Sequence, residues 1–403
     1  MKQYYPDIGL HVPTLLLPRS DIDLTKWAVI ACDQHTSEPG YWRATADQVV
    51  DSPSTLSLVY PEAFLTAEDR KQRIVDINGA MRTYLDEGIL EEQAPGFMLV
   101  ERDVGRDHKR RGLIVALDLT HYDYSDGAKK LIRTTEGTDP ARLPPRVEVR
   151  RDAALEVSHI MVLIDDPNQT VIEPLFEAGF DETYSVDLMQ GGGNVRGWHI
   201  TTGIEDIAAK IADLAQGTPP MIYAMGDGNH SFATAQSVWD EIKTEVASDH
   251  PARYATVELV NLHDPSLVFE PIHRFVEGVN PVELISQMKQ AGFTLDPGGQ
   301  RFPWQTHNAS GELFLHNPKM HLEIASLHEF LDQQGATVDY IHGADTIERL
   351  VKTREDSIGF LLPDLDKFEL FESIRRDGAT PRKTFSLGEA YEKRYYLECR
   401  KIR

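Results

Sequence analysis

Cysteine, positive charge and long apolar runs are all scarce in this sequence. Its 403 residues include two cysteines, Cys32 and Cys399, whose separation excludes a local metal or redox motif of the Cys-x-x-Cys kind. Apolar runs such as 27–32 and 159–164 are far shorter than the roughly 20 residues that cross a bilayer. The N-terminal residues lack the apolar stretch of a signal peptide, so we expect a cytoplasmic protein with reduced thiols.

The shortage of positive charge narrows the choice of partner. The chain has 41 lysines and arginines against 64 aspartates and glutamates, a net charge of -23. Broad binding to nucleic acid or to an anionic membrane is disfavoured, because phosphate backbones need a basic face. Motifs of serine esterases and zinc proteases are also absent. The expected partner is therefore a small-molecule substrate, with homo-oligomer formation left open.

The order of local patterns predicts the fold class. Strand-like and helix-like segments alternate along the chain, which is typical of an α/β or α+β protein. Residues 27–33 are expected to form a strand and 68–84 a helix. A chain of 403 residues is long enough to need more than one hydrophobic core, and the pattern of strand-like and helix-like segments changes near Gly278. We predict a main α/β domain at 1–278 that carries the ligand site, a smaller α+β domain at 279–380, and a C-terminal segment, 381–403, that returns to the main domain.

The most informative motif is Met225-Gly-Asp-Gly-Asn-His-Ser231. It follows an apolar run that predicts a strand and precedes a segment that predicts a helix. Gly226 and Gly228 let the backbone approach a ligand closely, and the first amides of a helix attract anions. Asp227 is a candidate cation ligand, while Asn229 and His230 are candidate phosphate donors. A helix-capping turn is the alternative, but capping alone requires neither the two glycines nor the histidine.

A second polar segment, Cys32-Asp-Gln-His-Thr-Ser-Glu38, precedes the helix expected after Pro39. Loops at the carboxyl ends of strands are where open α/β sheets bind ligands. Asp33, His35 and Glu38 are therefore candidate acids, bases or metal ligands. Capping by Ser37 with solvated acidic groups is the alternative, and it leaves Asp33 and His35 unexplained.

Basic residues stand out against the acidic background in three places. Arg146 and Arg150 lie near Pro144 and Pro145, whose rings predict extended backbone, and their guanidinium groups suit phosphate or carboxylate oxygens. Surface ion pairs are the competing explanation. His273 and Arg274, at a strand end, are candidates to complete a phosphate pocket. A third basic segment, 382–384, could add positive charge to the site, although a solvated tail segment is the favoured explanation.

Four of these segments together resemble a known family. In order they are 27–42, 142–146, 226–230 and 381–384, and they are similar to the bacterial and archaeal family catalogued as domain of unknown function number one thousand and fifteen. The family name carries no activity with it.

A shorter stretch, Asp-Gly-Asn-His at 227–230, resembles the Gly-x-His-Arg turn of ParB-like and sulfiredoxin-like nucleotide-binding folds. That resemblance implies a ParB-like mixed α/β core with a smaller appended domain. It also implies a turn that grips nucleotide phosphates. Relatives of the fold include a DNA clamp and a free-serine kinase. Ser231 stands where those proteins place an arginine, so Arg146, Arg150 or Arg274 would have to supply the positive charge that binds the phosphate.

Among these relatives, small-molecule phosphoryl transfer fits the sequence. The acidic charge opposes a DNA clamp, and the turn lacks the cysteine of sulfiredoxin chemistry. We predict a kinase-type enzyme that uses a nucleotide or pyrophosphate as donor, Mg²⁺ at Asp227 or Asp33, and a hydroxylated acceptor such as free serine. Glu38 or His35 is the predicted base. A metal-assisted phosphatase or other hydrolase and a non-catalytic ligand sensor remain alternatives.

Overall fold

A computed structural model describes residues 2–105, 107–125, 127–381 and 383–403. Two features that the sequence predicts fall partly outside this range. One is a turn near 106–107 that would pair strands expected at 97–103 and 112–119, and the other is the third basic segment, which includes Arg382. Contacts divide the chain into a first unit, 1–134 with 138–267 and 388–403, and a second unit, 135–137 with 268–387. Within the described ranges, no helix is both long and apolar enough to cross a bilayer.

The α-helices are α1 (Leu24–Trp27), α2 (Pro39–Gln48), α3 (Arg70–Asp86), α4 (Pro144–Arg151), α5 (Ile204–Asp213), α6 (Asn229–Ile242), α7 (Pro281–Gln290), α8 (Glu323–Gln333), α9 (Ala344–Thr353) and α10 (Leu370–Asp377). The strands are β1 (Tyr4–Tyr5), β2 (Leu10–His11), β3 (Leu16–Pro18), β4 (Leu90–Glu92), β5 (Phe97–Asp103), β6 (Arg110–Asp118), β7 (Tyr122–Asp123), β8 (Ile132–Arg133), β9 (Leu155–Val157), β10 (Met161–Ile164), β11 (Glu182–Leu188), β12 (Gly193–Ile200), β13 (Tyr223–Asp227), β14 (Tyr254–Asn261), β15 (Phe269–Glu277), β16 (Gln300–Thr306), β17 (Ser310–Leu315), β18 (Val338–His342), β19 (Ser357–Phe360), β20 (Phe385–Leu387) and β21 (Cys399–Lys401).

The first unit is built on a mixed sheet whose main path runs β11-β12-β5-β6-β14-β10-β13-β8-β7. Side chains alternate between its two faces, as the pleat of a strand requires. On β6, Leu113 and Val115 enter one core while Ile114 enters the other. Helices α5 and α6 pack in the first core, and α3 packs in the second with β3 and β21. The predicted mixed α/β class is confirmed.

A smaller antiparallel sheet, β4-β3-β21-β9, completes the first unit. Its third strand, β21, comes from the end of the described chain and pairs with β3 on one side and β9 on the other. The segment 388–403 therefore belongs to the first unit.

The second unit has its own sheet, in the order β17-β16-β19-β15-β18, with β20 paired to one end of β15. Helices α7 and α8 cover a core that includes Met288, Phe302 and Leu327. The contact division places β15 in this unit, ahead of the predicted boundary at 278.

Two local predictions are wrong. Residues 27–33 form no regular strand: α1 ends at Trp27 and Ile30 makes only an isolated bridge, to Tyr395. Pro144 and Pro145 open helix α4 instead of extending the backbone. Proline fits the first helical turn because its missing N–H would have no partner there and its fixed φ is helical.

Candidate functional site

The centre of the candidate site is the turn that joins β13 to α6. Gly228 takes a left-handed conformation, with φ +80°, and a Cβ atom there would lie 3.1 Å from the Cα of Ile160. Its N–H donates to Asp227 Oδ1 over 2.8 Å. The first bond of the helix runs from Phe232 N–H to the Gly228 carbonyl, so the amides of residues 229–231 precede the helical ladder. We call residues 226–230 the phosphate turn.

Asn229 and His230 sit in the first turn of α6 and face different neighbours. The Asn229 side chain is buried, and its Oδ1 accepts a hydrogen bond from Thr134 Oγ1 over 2.7 Å. His230 is half-buried, and its Nε2 accepts a long bond, 3.4 Å, from the Asp139 amide. Asn229 thus anchors the turn to the neighbouring loop, and the predicted bonds of both residues to phosphate stay predictions.

Asp227, the predicted cation ligand, is paired with a lysine. Lys393 Nζ lies 3.0 Å from Asp227 Oδ2, with 13% and 26% of the two side chains exposed. Burial raises the pKa of Asp227, but the Lys393 ammonium, together with His159 and the Gly228 amide, outweighs this and holds the pKa below its ordinary value. A phosphate that binds Lys393 therefore has to compete with the Asp227 carboxylate.

Asp33 meets the same helix through a histidine. His159 Nε2 lies 3.1 Å from Ser231 Oγ and 3.6 Å from Asp33 Oδ2. Its Nδ1 lies 2.7 Å from the hydroxyl of Tyr396, which also accepts the Cys32 amide over 3.0 Å. We call His159, Asp33, Ser231 and Tyr396 the His159 cluster. It brings the 32–38 loop to the start of α6, as a site shared by the two motifs requires.

His35 and Glu38 lie on the same loop and pair with each other. His35 Nδ1 is 3.0 Å from Glu38 Oε1, and the imidazole stacks on Tyr41 with ring centroids 3.7 Å apart. His35 has φ +50°, which is uncommon for a residue with a side chain and is often found at functional loops. The proposed base role of either residue stays a prediction.

Arg146 and Arg150 face a cavity beside the His159 cluster, but each is already matched by a carboxylate. Arg146 pairs with Glu62, and Arg150 lies 2.5 Å from the buried Glu156. Burial raises the pKa of Glu156, yet Arg400 and Arg150 lower it to about 2. A phosphate that binds either arginine has to compete with these carboxylates.

The cavity has a volume of about 130 Å³ and a largely apolar wall. Ser231, His159 and Cys32 reach it from the side of the phosphate turn. The apolar lining comes from Leu58, Val59, Leu65, Met81, Val149 and Leu155. Such a space suits the body of a small organic molecule whose polar end points towards Ser231.

His273 and Arg274 lie on β15 of the second unit. The Arg274 side chain has no exposed surface, and its guanidinium donates to His328 Nε2 over 2.7 Å and to the Ile272 carbonyl over 2.6 Å. Burial lowers its pKa to about 10. His273 Nδ1 accepts the Leu362 amide over 3.2 Å. Arg274 would have to give up these contacts to bind a phosphate, and the role of both residues stays a prediction.

The fit of the site to Mg²⁺ depends on Asp33. In the part of the chain that the structure describes, no three histidine, cysteine or acidic side chains are grouped as metal ligands. Asp227 is engaged by Lys393, while the Asp33 side chain is 24% exposed. Mg²⁺ is commonly held by one or two carboxylates together with substrate phosphates. The residues therefore fit an ion that arrives with phosphates and gains one ligand from Asp33.

The sequence matches the model of one family over residues 16–384, described as "Protein of unknown function (DUF1015)". The chain belongs to this family. The resemblance seen in the four dispersed motifs is confirmed. No curated protein matches the chain.

Solved structures similar to this DUF1015 protein include two of the free serine kinase. A mutant of that kinase in complex with AMP matches with 10% identity and a TM-score of 0.42, over 72% of this chain and 92% of the kinase. A complex with ADP matches with 10% identity and a TM-score of 0.41, over 74% and 96%. SbnI from Staphylococcus aureus, with a C-terminal truncation, matches with 11% identity and a TM-score of 0.38, over 68% and 82%. Likeness at this level decides nothing about the chemistry of the DUF1015 chain.

Three residues of the site escaped the sequence analysis: His159, Lys393 and Tyr396. His159 directly precedes a buried strand and looked like part of an apolar run. Lys393 and Tyr396 lie in the segment 381–403 that was expected to return to the main domain. Lys393 could have been found from the sequence, because it is a basic residue close to an aromatic and apolar run in a segment expected to return to the main domain.

Proposed function

We propose that the first unit is a small-molecule phosphotransferase that moves a phosphoryl group from a nucleotide or pyrophosphate to a hydroxylated metabolite such as free serine. One observation carries the proposal: Lys393 contacts Asp227 of the phosphate turn, and the same turn opens α6, whose amides at 229–231 precede the helical ladder. A phosphate that displaces the Asp227 carboxylate would find a point charge and N–H donors on one turn, a combination that binds phosphate groups.

The residues divide into a donor side and an acceptor side. The amides at 229–231, the Lys393 ammonium and the His230 imidazole would bind the donor phosphates. Mg²⁺, when bound, would neutralise phosphate charge, with Asp33 as its protein ligand. The cavity beside Ser231 would hold the acceptor. Glu38 and His35 are the candidate bases for the acceptor hydroxyl.

The test is nucleotide affinity in a lysine variant. ATP, ADP, AMP and pyrophosphate are titrated into the full chain with Mg²⁺ in a calorimeter. Lys393→Met removes one charge-assisted contact worth about 1.5–3 kcal/mol, so affinity should fall roughly tenfold to a hundredfold. Lys243→Met is the matched control, because Lys243 pairs with Asp240 at the other end of α6. Equal affinity in the two variants would remove Lys393 from the site.

The reaction class is tested by product analysis. Wild-type protein is incubated with Mg²⁺, each donor in turn, and serine or other hydroxy-metabolites, and phosphorylated products are identified by mass spectrometry. A phosphorylated metabolite that requires both donor and acceptor supports the proposal. Binding of none of the four phosphate compounds by the wild type would refute it.

A further inference from the structure

Ser231 is the residue at which this chain departs from the turn it resembles, and its surroundings give it a reactive partner. It lies in the first turn of α6, and its hydroxyl oxygen is 3.1 Å from His159 Nε2. The residue is half-buried and also lines the cavity. A hydroxyl with an imidazole nitrogen in hydrogen-bond reach is the arrangement that activates serine as a nucleophile.

The imidazole is held in place from its other side. His159 is 7% exposed, and its Nδ1 lies 2.7 Å from the Tyr396 hydroxyl, a group that is itself fixed by the Cys32 amide. In the tautomer with the proton on Nδ1, that N–H donates to the Tyr396 oxygen. Nε2 then presents its lone pair to the Ser231 hydroxyl. This is the base–orienter relation found around activated serines, with a tyrosine as the orienting group.

We propose that Ser231 carries the phosphoryl group from donor to acceptor as a phosphoserine intermediate. This inference rests on the proposed phosphotransferase function and adds a covalent residue to it. Ser231 is placed for both half-reactions, because it directly follows the phosphate turn in sequence and opens into the cavity. The amino end of α6 also favours the negative charge of a phosphoserine.

Phosphoryl transfer through Ser231 takes two steps. In the first, Ser231 Oγ attacks the terminal phosphorus of the donor, an Oγ–P bond forms, the bond to the leaving nucleotide or phosphate breaks, and the hydroxyl proton moves to His159 Nε2. In the second, the acceptor oxygen attacks the same phosphorus and the Oγ–P bond breaks. His159 returns its proton to Oγ, and the acceptor proton passes to solvent water.

The experiment looks for the intermediate without an acceptor. The full chain is mixed with Mg²⁺ and with ATP, ADP or pyrophosphate labelled in the terminal phosphoryl group, quenched at short times, digested and sequenced by mass spectrometry. We expect one phosphoryl group on Ser231. In a parallel reaction without acceptor, added labelled leaving group (ADP, AMP or inorganic phosphate) should appear in the unlabelled donor, because the first step is reversible. Both signals should disappear in Ser231→Ala, slow at least tenfold in His159→Gln, and persist in Ser237→Ala. Ser237 is a matched control on the same helix, since its hydroxyl donates to the Ala233 carbonyl within α6.

The outcomes separate this inference from the proposed function. Calorimetry should show unchanged donor affinity for Ser231→Ala, which also establishes that the variant folds. If the wild type turns over acceptor but no label reaches Ser231, or if label appears more slowly than product, transfer is direct and the inference fails while the phosphotransferase stands. Turnover by Ser231→Ala at the wild-type rate has the same meaning. If the wild type binds no donor, both proposals fall.

Discussion

The conformation of Gly228 makes a quantitative prediction, because a second glycine provides its control. Gly228 and Gly203 both directly precede a helix of the first unit in left-handed conformations, with φ +80° and +70°. An added Cβ atom at Gly228 would lie 3.1 Å from two atoms of Ile160, whereas at Gly203 it would meet nothing within 4 Å. Alanine at either position therefore bears the left-handed penalty, and alanine at Gly228 bears a steric penalty as well.

The expected loss of unfolding free energy is the sum of the cost of the left-handed backbone and the cost of the steric contact. A left-handed alanine costs about 1–2 kcal/mol, so Gly203→Ala should lower the free energy of unfolding by about that amount. Forcing a methyl group into a packed contact adds about 1–3 kcal/mol, so Gly228→Ala should lose roughly 2–5 kcal/mol. The phosphate turn must also shift away from Ile160, so nucleotide affinity should fall in Gly228→Ala and stay unchanged in Gly203→Ala.

Urea unfolding followed by tryptophan fluorescence measures the difference. The chain has five tryptophans, and Trp304 lies in the second unit. A Trp304→Phe background confines the signal to the first unit, where Trp27, Trp42 and Trp239 are buried. A difference of about 2 kcal/mol separates the two midpoints by roughly 1 M urea at a dependence of about 2 kcal/mol per M. Equal losses in the two variants would show that the contact with Ile160 does not constrain the turn.

Three further predictions concern charged groups of the first unit. Glu156 has its pKa lowered from 4.5 to about 2, so its pairing stabilises the fold fully above pH 4.5 and is lost as the pH falls towards 2. The stability gap between wild type and Glu156→Gln should therefore shrink by about 3 kcal/mol from pH 5 to pH 2 in acid-unfolding curves, and a constant gap would contradict the assigned pKa. Asp33→Asn should slow Mg²⁺-dependent turnover at least tenfold while leaving metal-free nucleotide affinity unchanged, as measured by steady-state kinetics and calorimetry; wild-type turnover would exclude Asp33 from the Mg²⁺ site. His230→Ala should weaken nucleotide binding with little change in unfolding free energy, and unchanged affinity would exclude His230 from the phosphate contacts.

The sequence predicted those parts of the site that depend on neighbours along the chain. The strand, turn and helix around Gly228 follow from an apolar run, two glycines and a helical pattern within about twenty residues, and the structure has them in that order. The helix at 68–84 was predicted for the same reason and is α3 (Arg70–Asp86). Local patterns are reliable here because backbone conformation and sheet or helix periodicity are short-range properties.

The rest of the site depends on contacts between distant segments. His159 meets Ser231 across 72 positions, and Lys393 reaches Asp227 from the far end of the described chain. These contacts are set by strand register and by the path of 388–403, neither of which is visible in local patterns. The wrong prediction of a strand at 27–33 has the same cause. Its apolar residues are buried, but its backbone bonds go irregularly to 394–396, including Ala31 N–H to the Arg394 carbonyl over 2.9 Å.

The position of β21 between β3 and β9 has a consequence for synthesis on the ribosome. Residues 1–267 emerge first, yet the strand that joins β3 to β9 and the Lys393 and Tyr396 side chains are still missing. At about 5–20 residues per second, the remaining chain takes roughly 7–30 s to appear. During that interval the edges of β3 and β9 lie open. The nascent chain is therefore most exposed to chaperones and to wrong strand pairing while 268–387 is being translated, and the site can assemble only after β21 and Lys393 have emerged.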